Sequence, residues 1–315
     1  MSGPQPMLPV PRGPLEIFCV HVGSFVAVAI YFAVLGSASD REAGVRVALP
    51  IAWAVMTVYL LSAHRLHLLK QFDVGLWSMF AVGTAAVLAG FESIGRLFAT
   101  YGSAIVFLTL ALVAWIPLLL GREPFTVFFA RRGTPAWQQQ TRDFVILNRI
   151  ITLWFALLFS TAAGLAAWEP DDVHFAVVYP NLLVFVAGLP SPRWIPPLYL
   201  RLVGPRPPDT AEAAILGMPL AFDAKVADDA RATVQFHLSG PEGGDFWLRV
   251  ADRTCESAEG RVPGADLVIR APSSLWLGIA RGEIDPARAL LDGRCSVEGD
   301  GSILADLGEW FPRSS

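Results

Sequence analysis

Six long runs of apolar residues within the first 190 positions most constrain what this chain can fold into. In a bilayer, every backbone N–H and C=O group must find its partner within the protein, so a run of about 20 apolar residues predicts a transmembrane helix. We therefore expect a multi-pass α-helical membrane domain of about six spans over residues 15–190. The runs cover residues 15–36, 45–61, 76–98, 104–120, 150–168 and 173–189.

Arginines and lysines are divided unequally between the two sides of this predicted membrane domain. Alternate loops place eleven basic residues on one side and three on the other. Because cytoplasmic loops carry the excess of basic residues, we expect both termini in the cytoplasm. Arginine outnumbers lysine 22 to 2, a bias typical of GC-rich bacterial genomes. The sequence thus predicts an integral protein of the bacterial cytoplasmic (inner) membrane.

Two proline-rich segments flank the apolar region. Residues 1–14 are rich in proline and glycine and are expected to be disordered; they lack the basic start and the cleavage site of a signal peptide. Residues 191–208 mix prolines with basic and aromatic side chains, which predicts a stiff tether lying along the membrane surface. Arg193 and Arg201 are the headgroup contacts expected in this tether.

Basic side chains follow the second apolar run directly, at His64, Arg65, His67 and Lys70. Two histidines three residues apart can hold a metal ion, but Asp73 is the only other candidate ligand nearby. A basic helix end that faces lipid headgroups is the favoured interpretation. The sequence therefore predicts no metal site here.

The longest polar connection, residues 121–149, mixes aromatic side chains with five arginines. This composition is typical of a segment that lies in the membrane interface, with rings at the acyl boundary and guanidinium groups among the headgroups. Arg131, Arg132 and Arg142 are the candidate headgroup contacts, and a basic anchoring loop without specific recognition is the alternative. The N-terminal part also resembles uncharacterised polytopic bacterial membrane proteins, a likeness that implies no activity.

Residues 208–315 have the charge density of a soluble domain. They carry 10 Lys+Arg and 18 Asp+Glu, whereas residues 1–207 carry 14 and 10. Alternating or continuous apolar residues predict strands at 231–239, 246–250, 253–259 and 266–269, and a short fifth strand at 296–298. Pro272, Asp285 and Asp300 stand where helices are expected to begin, since proline and acceptor side chains suit a helix start.

The last fifty residues also carry a recognisable spacing. Gly282, Pro286 and Ala289 form a G-x-x-x-P-x-x-A run, followed by Gly293 and by Gly299-Asp300 before an amphipathic helix. This pattern resembles the C-terminal half of the sterol carrier protein type 2 family, and the likeness extends more loosely back to about Asp209. It implies an α/β domain over residues 209–315, with a five-stranded, mainly antiparallel sheet covered by helices. It also implies an apolar cavity for lipids, acyl chains or sterols.

The side chains expected to line such a cavity lie on the apolar faces of the predicted strands and helices. From the pattern alone they form a plain core equally well, and only the family resemblance favours a cavity. They are Phe236, Leu238, Val268, Leu275, Trp276, Ile279, Ile303 and Leu307.

Catalytic motifs are absent from the sequence. It contains no G-x-S-x-G, P-loop, dinucleotide-binding or H-E-x-x-H motif. Cys19, Cys255 and Cys295 have neither metal-binding nor redox spacing, and His237 lies beside no candidate nucleophile. We therefore expect no catalytic residue, no cofactor, no metal and no nucleic-acid partner.

The sequence favours a non-enzymatic function: a membrane-anchored, cytoplasmic domain that binds or transfers a hydrophobic ligand, with membrane lipids and an apolar small molecule as partners. In the alternative, the C-terminal domain is a structural or dimerising module, and the membrane domain is a transporter or regulator. A membrane-embedded enzyme is the third reading. The ligand, and whether the chain forms homo-oligomers, are left open.

Overall fold

A computed structural model describes residues 22–204, 206–227 and 230–311 of the chain. These residues divide into two compact units. The helical unit comprises residues 22–134 and Ile146–Tyr199, and the C-terminal unit comprises Pro135–Val145 and the described residues from Leu200 onward. The segment predicted to be disordered, residues 1–14, lies outside the described residues.

Residues 22–203 form helices joined by short connections, as the apolar runs predict. Residues 174–188 form one helix that begins and ends in π-helical turns. In chain order the helices are α1 (Gly23–Ser37), α2 (Arg41–Arg65), α3 (Gln71–Leu88), α4 (Glu92–Leu119), α5 (Thr126–Gly133), α6 (Ala136–Gln139), α7 (Arg142–Trp168), α8 (His174–Gly188) and α9 (Ser191–Val203).

Four of the described helices, α2, α3, α4 and α7, are long and apolar enough to cross a membrane. The helices α8 and α9 pass the same test only as a pair, bent by 46° at the break between them. The six predicted spans are therefore not confirmed. The break between α8 and α9 has a physical cause: Pro190 lies in it and has no backbone N–H with which to continue α8.

Most of the predicted tether, residues 191–203, is helical. Helix α9 includes Pro196 and Pro197 and buries Ile195 and Tyr199. Arg193 and Arg201 are exposed, and the C-terminal unit already begins at Leu200. Arg193 and Arg201 therefore extend from a helix.

A buried ion pair joins α1, α2 and α3. Asp73, fully buried, accepts hydrogen bonds from the Lys70 backbone N–H at 2.9 Å, from Tyr59 at 3.3 Å and from Ser24. The Lys70 ammonium donates to the Tyr59 hydroxyl at 2.9 Å and lies 3.5 Å from Asp73. Removing one charge of a buried pair typically costs about 3–5 kcal/mol, so this network fixes the end of the bundle at the α2–α3 turn.

The C-terminal unit is built on a five-stranded sheet with the order β3-β2-β1-β4-β5. β1 and β4 are parallel, while the other three neighbouring pairs are antiparallel. The sheet is therefore mixed, which corrects the mainly antiparallel sheet that we expected. The strands are β1 (Ala232–Ser239), β2 (Gly244–Ala251), β3 (Thr254–Glu259), β4 (Leu267–Pro272) and β5 (Ser296–Gly299).

The connection 260–266 explains the parallel pair. It leaves the end of β3, where the Gly260 N–H donates to Asp245, and reaches the opposite end of the sheet, where the Asp266 N–H donates to Thr233. Midway, the Val262 N–H donates to the side chain of Gln235 on β1 at 2.8 Å. Because this connection crosses one face of the sheet, β4 enters in the same direction as β1.

Helices cover the other face of the sheet, where the core of the unit lies. Phe236, Leu248 and Leu267 on the strands are fully buried there, as is Ile215. The predicted helix starts are confirmed at Asp285, which accepts from the Ala287 N–H at 2.9 Å, and at Asp300, which accepts from the Ser302 N–H at 2.9 Å. The helices are α10 (Ala211–Leu216), α11 (Ser273–Ala280), α12 (Pro286–Leu291) and α13 (Ser302–Trp310).

Candidate functional site: an apolar cleft in the C-terminal unit

An apolar cleft lies between the sheet and the helices α11, α12 and α13. It is narrow, with a volume of about 30 Å³. Almost every lining group is a hydrocarbon, so the cleft favours an alkyl or ring ligand over water. The lining residues are Ile269, Ala271, Trp276, Ile279, Pro286, Leu290, Cys295, Val297 and Leu304.

The two strands that form the floor of the cleft place their side chains by strand periodicity and by register. Along β4, Ile269 and Ala271 turn toward the helices, while Arg270 between them is exposed. Val297 on β5 is the direct partner of Ile269, so both side chains reach the same face. The floor therefore depends on a pairing between segments about thirty residues apart.

The helical wall is held close to the chain that follows it. At Gly278 on α11, an added Cβ atom would lie 2.6 Å from a methyl carbon of Ile284. A glycine at this point lets α11 approach the start of α12, where Pro286 lines the cleft. Trp276 and Ile279 on α11 line the helical side of the cleft, across from the strands.

Two lining side chains carry polar atoms. The Trp276 ring packs edge-on against Phe236 with centroids 4.9 Å apart, and its Nε1 is buried without a hydrogen-bond partner among the described residues. Burial raises the pKa of the Cys295 thiol, so this group stays protonated at neutral pH. At neutral pH the lining of the cleft therefore carries no formal charge, and its one thiol is in the neutral form.

The structure separates the predicted cavity residues into three groups. Trp276 and Ile279 line the cleft. Val268 lies on the other face of β4 from Ile269, because neighbouring strand residues point to opposite faces. The remaining five are buried in the core of the C-terminal unit: Phe236, Leu238, Leu275, Ile303 and Leu307.

Most of the lining residues were missed by sequence reasoning. The alternation along β4 was a usable signal for Ile269 and Ala271. Cys295, Val297 and Leu290 carried no such signal, because only the placement of β5 and α12 brings them to the same space.

Polar side chains occupy the face of the sheet opposite the helices. His237 and Asp245 are 2.5 Å apart, and Arg261 lies 2.6 Å from the second oxygen of the same carboxylate. The hydrogen bonds from His237 and Arg261 lower the pKa of Asp245. Gln235, 3% exposed, bonds to backbone groups beneath the crossing connection 260–266. The pair between Arg261 and Asp245 ties the connection 260–266 to β2.

The predicted headgroup arginines are placed differently from one another. Arg131 forms a bidentate pair with Glu123, at 3.0 and 2.6 Å. The Arg132 guanidinium lies 3.8 Å above the Phe128 ring. Arg142 belongs to the C-terminal unit and bonds to Asp209.

Comparison with known families decides the identity of the C-terminal unit. Residues 222–311 match the model of the SCP-2 sterol transfer family. The C-terminal unit therefore carries an SCP-2 domain. The resemblance read from the glycine, proline and Gly-Asp spacing is confirmed for this part of the chain, and the family match leaves the helical region outside it.

Solved structures similar to part of the chain include sterol carrier proteins. Palmitated SCP2L2 from Aedes aegypti is 16% identical, with the alignment covering 33% of this chain and 92% of that one, at a TM-score of 0.29. Sterol carrier protein 2 from Yarrowia lipolytica, in its apo form, is 16% identical over 33% of this chain and 90% of that one, at a TM-score of 0.26. None of the curated proteins matches this chain.

Proposed function

We propose that the SCP-2 domain binds a hydrophobic ligand, a lipid, fatty acyl chain or sterol-like molecule, in the apolar cleft and transfers it beside a membrane. The single observation that carries this proposal is the cleft itself, whose walls are hydrocarbon on both the strand and the helix side. Burial of alkyl surface supplies the driving force, about 0.8 kcal/mol for each methylene. No covalent step is part of this function.

Four helices that are long and apolar enough to cross a membrane support a permanent anchor. The arginine bias of the loops supports a cytoplasmic SCP-2 domain, and the overall preference for arginine over lysine supports a bacterial inner membrane. An anchored carrier domain stays within reach of its lipid source, so it does not have to find the bilayer by diffusion.

A second candidate is a structural or dimerising module, with transport or regulation performed by the helical region. The observation that favours it is the packing of Phe236, Leu238, Ile303 and Leu307, which fill the core where a larger cavity was expected. In this case the cleft is a shallow packing defect and takes up no ligand.

A matched pair of tryptophan substitutions distinguishes the two candidates. Ile279 lines the cleft, whereas Leu307 is 9% exposed within the core. We expect Ile279→Trp to occupy the ligand space, and thus to weaken binding of a fluorescent fatty acid or sterol by at least about tenfold with little loss of stability. Leu307→Trp forces volume into a filled core and is expected to cost about 1–3 kcal/mol.

The measurements use the full-length chain in neutral-lipid nanodiscs. Ligand uptake is followed by probe fluorescence, and stability by thermal unfolding. In a Cys19→Ser background, ligand should also slow alkylation of Cys295, which lines the cleft, more than that of Cys255 on β3. The carrier proposal is wrong if the parent protein takes up no apolar probe and Ile279→Trp costs as much stability as Leu307→Trp.

A further inference from the structure

Two basic segments, far apart in sequence, meet at one end of the helical unit. The end of α2 and the turn that follows it carry His64, Arg65 and His67, all exposed. His67 has φ of 55°, a left-handed conformation that costs a non-glycine residue free energy. Leu68, the next residue, is buried. The turn thus buries one leucine while holding its basic side chains outward.

Helix α5 lies beside this turn. Leu68 packs against Phe129 of α5, and the Gln71 side chain donates to the Glu123 carbonyl at 3.1 Å. These contacts join residues 64–71 to residues 122–132 in one surface, which we call the basic end. Its charged members are His64, Arg65, His67, Arg122, Glu123, Arg131 and Arg132.

Positive charge exceeds negative charge at the basic end. Glu123 is its one carboxylate among the described residues, and it is engaged by Arg131 at 2.6 Å. Lys70 and Asp73 lie beneath the surface and neutralise each other. Within the described part of the chain, Arg65, Arg122 and Arg132 make no ion pair. Three guanidinium groups therefore lack a counter-charge among the residues that the structure describes.

Arg132 is the most constrained of the three. Its Nη1 donates to the Phe128 carbonyl at 2.6 Å, its guanidinium stacks on the Phe128 ring, and its Nε is buried without a partner among the described residues. Burial lowers the pKa of Arg132, which is the effect of a charge taken from water without a nearby anion. An anion at this position supplies that missing compensation.

We propose that the basic end binds the phosphate of an anionic lipid headgroup, with Arg132 as its central contact and Arg65 and Arg122 around it. Helix α4, long and apolar enough to cross a membrane, ends at Leu119, and α5 begins at Thr126. That short interval places the Phe128 and Phe129 rings at the acyl boundary and the arginines among phosphates. A lipid satisfies both the rings and the charges, whereas a free phosphate satisfies only the charges. This proposal does not depend on ligand uptake by the SCP-2 domain.

Native mass spectrometry of the full-length chain in detergent tests the proposal, with phosphatidylglycerol and phosphatidylcholine as probes. We expect phosphatidylglycerol to bind more tightly, and Arg132→Gln to weaken that binding by about fivefold, the effect of one basic contact near a phosphate surface. The triple change Arg65→Gln, Arg122→Gln, Arg132→Gln should abolish the preference for phosphatidylglycerol. Arg46→Gln is the matched control, since Arg46 lies on α2 near its opposite end and pairs with Glu92 at 3.6 Å.

Inorganic phosphate is the competing probe. If it displaces phosphatidylglycerol at millimolar concentration, the site recognises phosphate alone and the lipid assignment is overturned. Equal phosphatidylglycerol binding by the parent, the triple variant and Arg46→Gln overturns the whole proposal. Elution volume and melting temperature establish folding for each variant, and Arg65→Gln, an exposed change, carries the test if Arg132→Gln fails to fold.

Discussion

The backbone N–H of Arg142 donates to one carboxylate oxygen of Asp209 at 3.1 Å, and its Nε lies 3.6 Å from the other. Arg206 and Asp143 form a second pair at 3.4 Å. These contacts fold Pro135–Val145, which follows α5 and includes the first turn of α7, into the same compact unit as the SCP-2 domain. Arg142, expected among lipid headgroups, is bonded to a carboxylate of the protein itself.

Removing the Asp209 carboxylate should loosen this segment. In Asp209→Ala, the Arg142 N–H loses its acceptor and the guanidinium its partner, so we expect faster hydrogen exchange in peptides that cover residues 135–145 of the full-length chain. Asp252→Ala, which removes an exposed pair with Arg231 in the same unit, is the control and should leave these peptides unchanged. Identical exchange in both variants would contradict a role for Asp209.

Trp137 should contribute to the stability of the C-terminal unit. Its ring carbons lie 3.5 Å from the position of a Cβ atom at Gly217, and the side chain packs against the core of the unit. Because the ring is only half-buried, Trp137→Ala is expected to cost about 1–2 kcal/mol, less than the loss of a fully buried tryptophan. Thermal unfolding of the full-length chain measures this cost. Trp168→Ala, at a ring that is 77% exposed, should have little effect.

Glu212 should make the C-terminal unit less stable as pH rises. Burial, and then the negative charge of Glu259, raise the pKa of Glu212 above its ordinary value of 4.5. A carboxyl whose pKa is raised by folding stabilises the native state below the ordinary pKa, and this stabilisation is lost as pH rises through the folded pKa. Glu212→Gln should therefore gain stability relative to the parent between about pH 4.5 and neutrality. Melting temperatures of both proteins across this pH range give the comparison, and Glu242→Gln is the exposed control. Parallel curves of melting temperature against pH for Glu212→Gln and the parent would show that folding does not change the titration of this carboxyl.

Gly299 should tolerate no side chain. Its φ is +106°, and an added Cβ atom would lie 2.2 Å from the backbone oxygen of Asp266. Since Asp266 and Gly299 both lie in paired backbone, neither residue can move cheaply, and Gly299→Ala is expected to cost more than about 2 kcal/mol. Gly301→Ala, two residues later, has open space at its Cβ position and serves as the control. Chemical denaturation of both variants measures the difference, and equal midpoints would be evidence against strain at Gly299.

The orientation in the membrane can be read from C-terminal fusions. If the basic loops face the cytoplasm, a fluorescent protein attached after Ser315 should fold and fluoresce, whereas alkaline phosphatase attached there should stay inactive. Expression levels by immunoblot are the control for both fusions. Active phosphatase with a dark fluorescent protein would reverse the orientation.

Local pattern was sufficient for much of the fold. The apolar runs predicted helices, the alternation at 231–239 and 246–250 predicted β1 and β2, and the acceptor side chains of Asp285 and Asp300 predicted two helix starts. The glycine and proline spacing was enough to indicate the SCP-2 domain. Such features depend on residues within a few positions of one another, which is why one sequence read alone reveals them.

Only the tertiary structure decided the parallel pairing of β1 with β4, the burial of Gln235 under the connection 260–266 and the cleft formed where Val297 meets Ile269. It also decided that residues 135–145 fold with the SCP-2 domain, and that Leu68 packs against Phe129 of α5. Each of these results depends on which face a distant segment covers. That choice is made by burial and hydrogen bonding across the whole unit, and periodicity along the chain does not contain it.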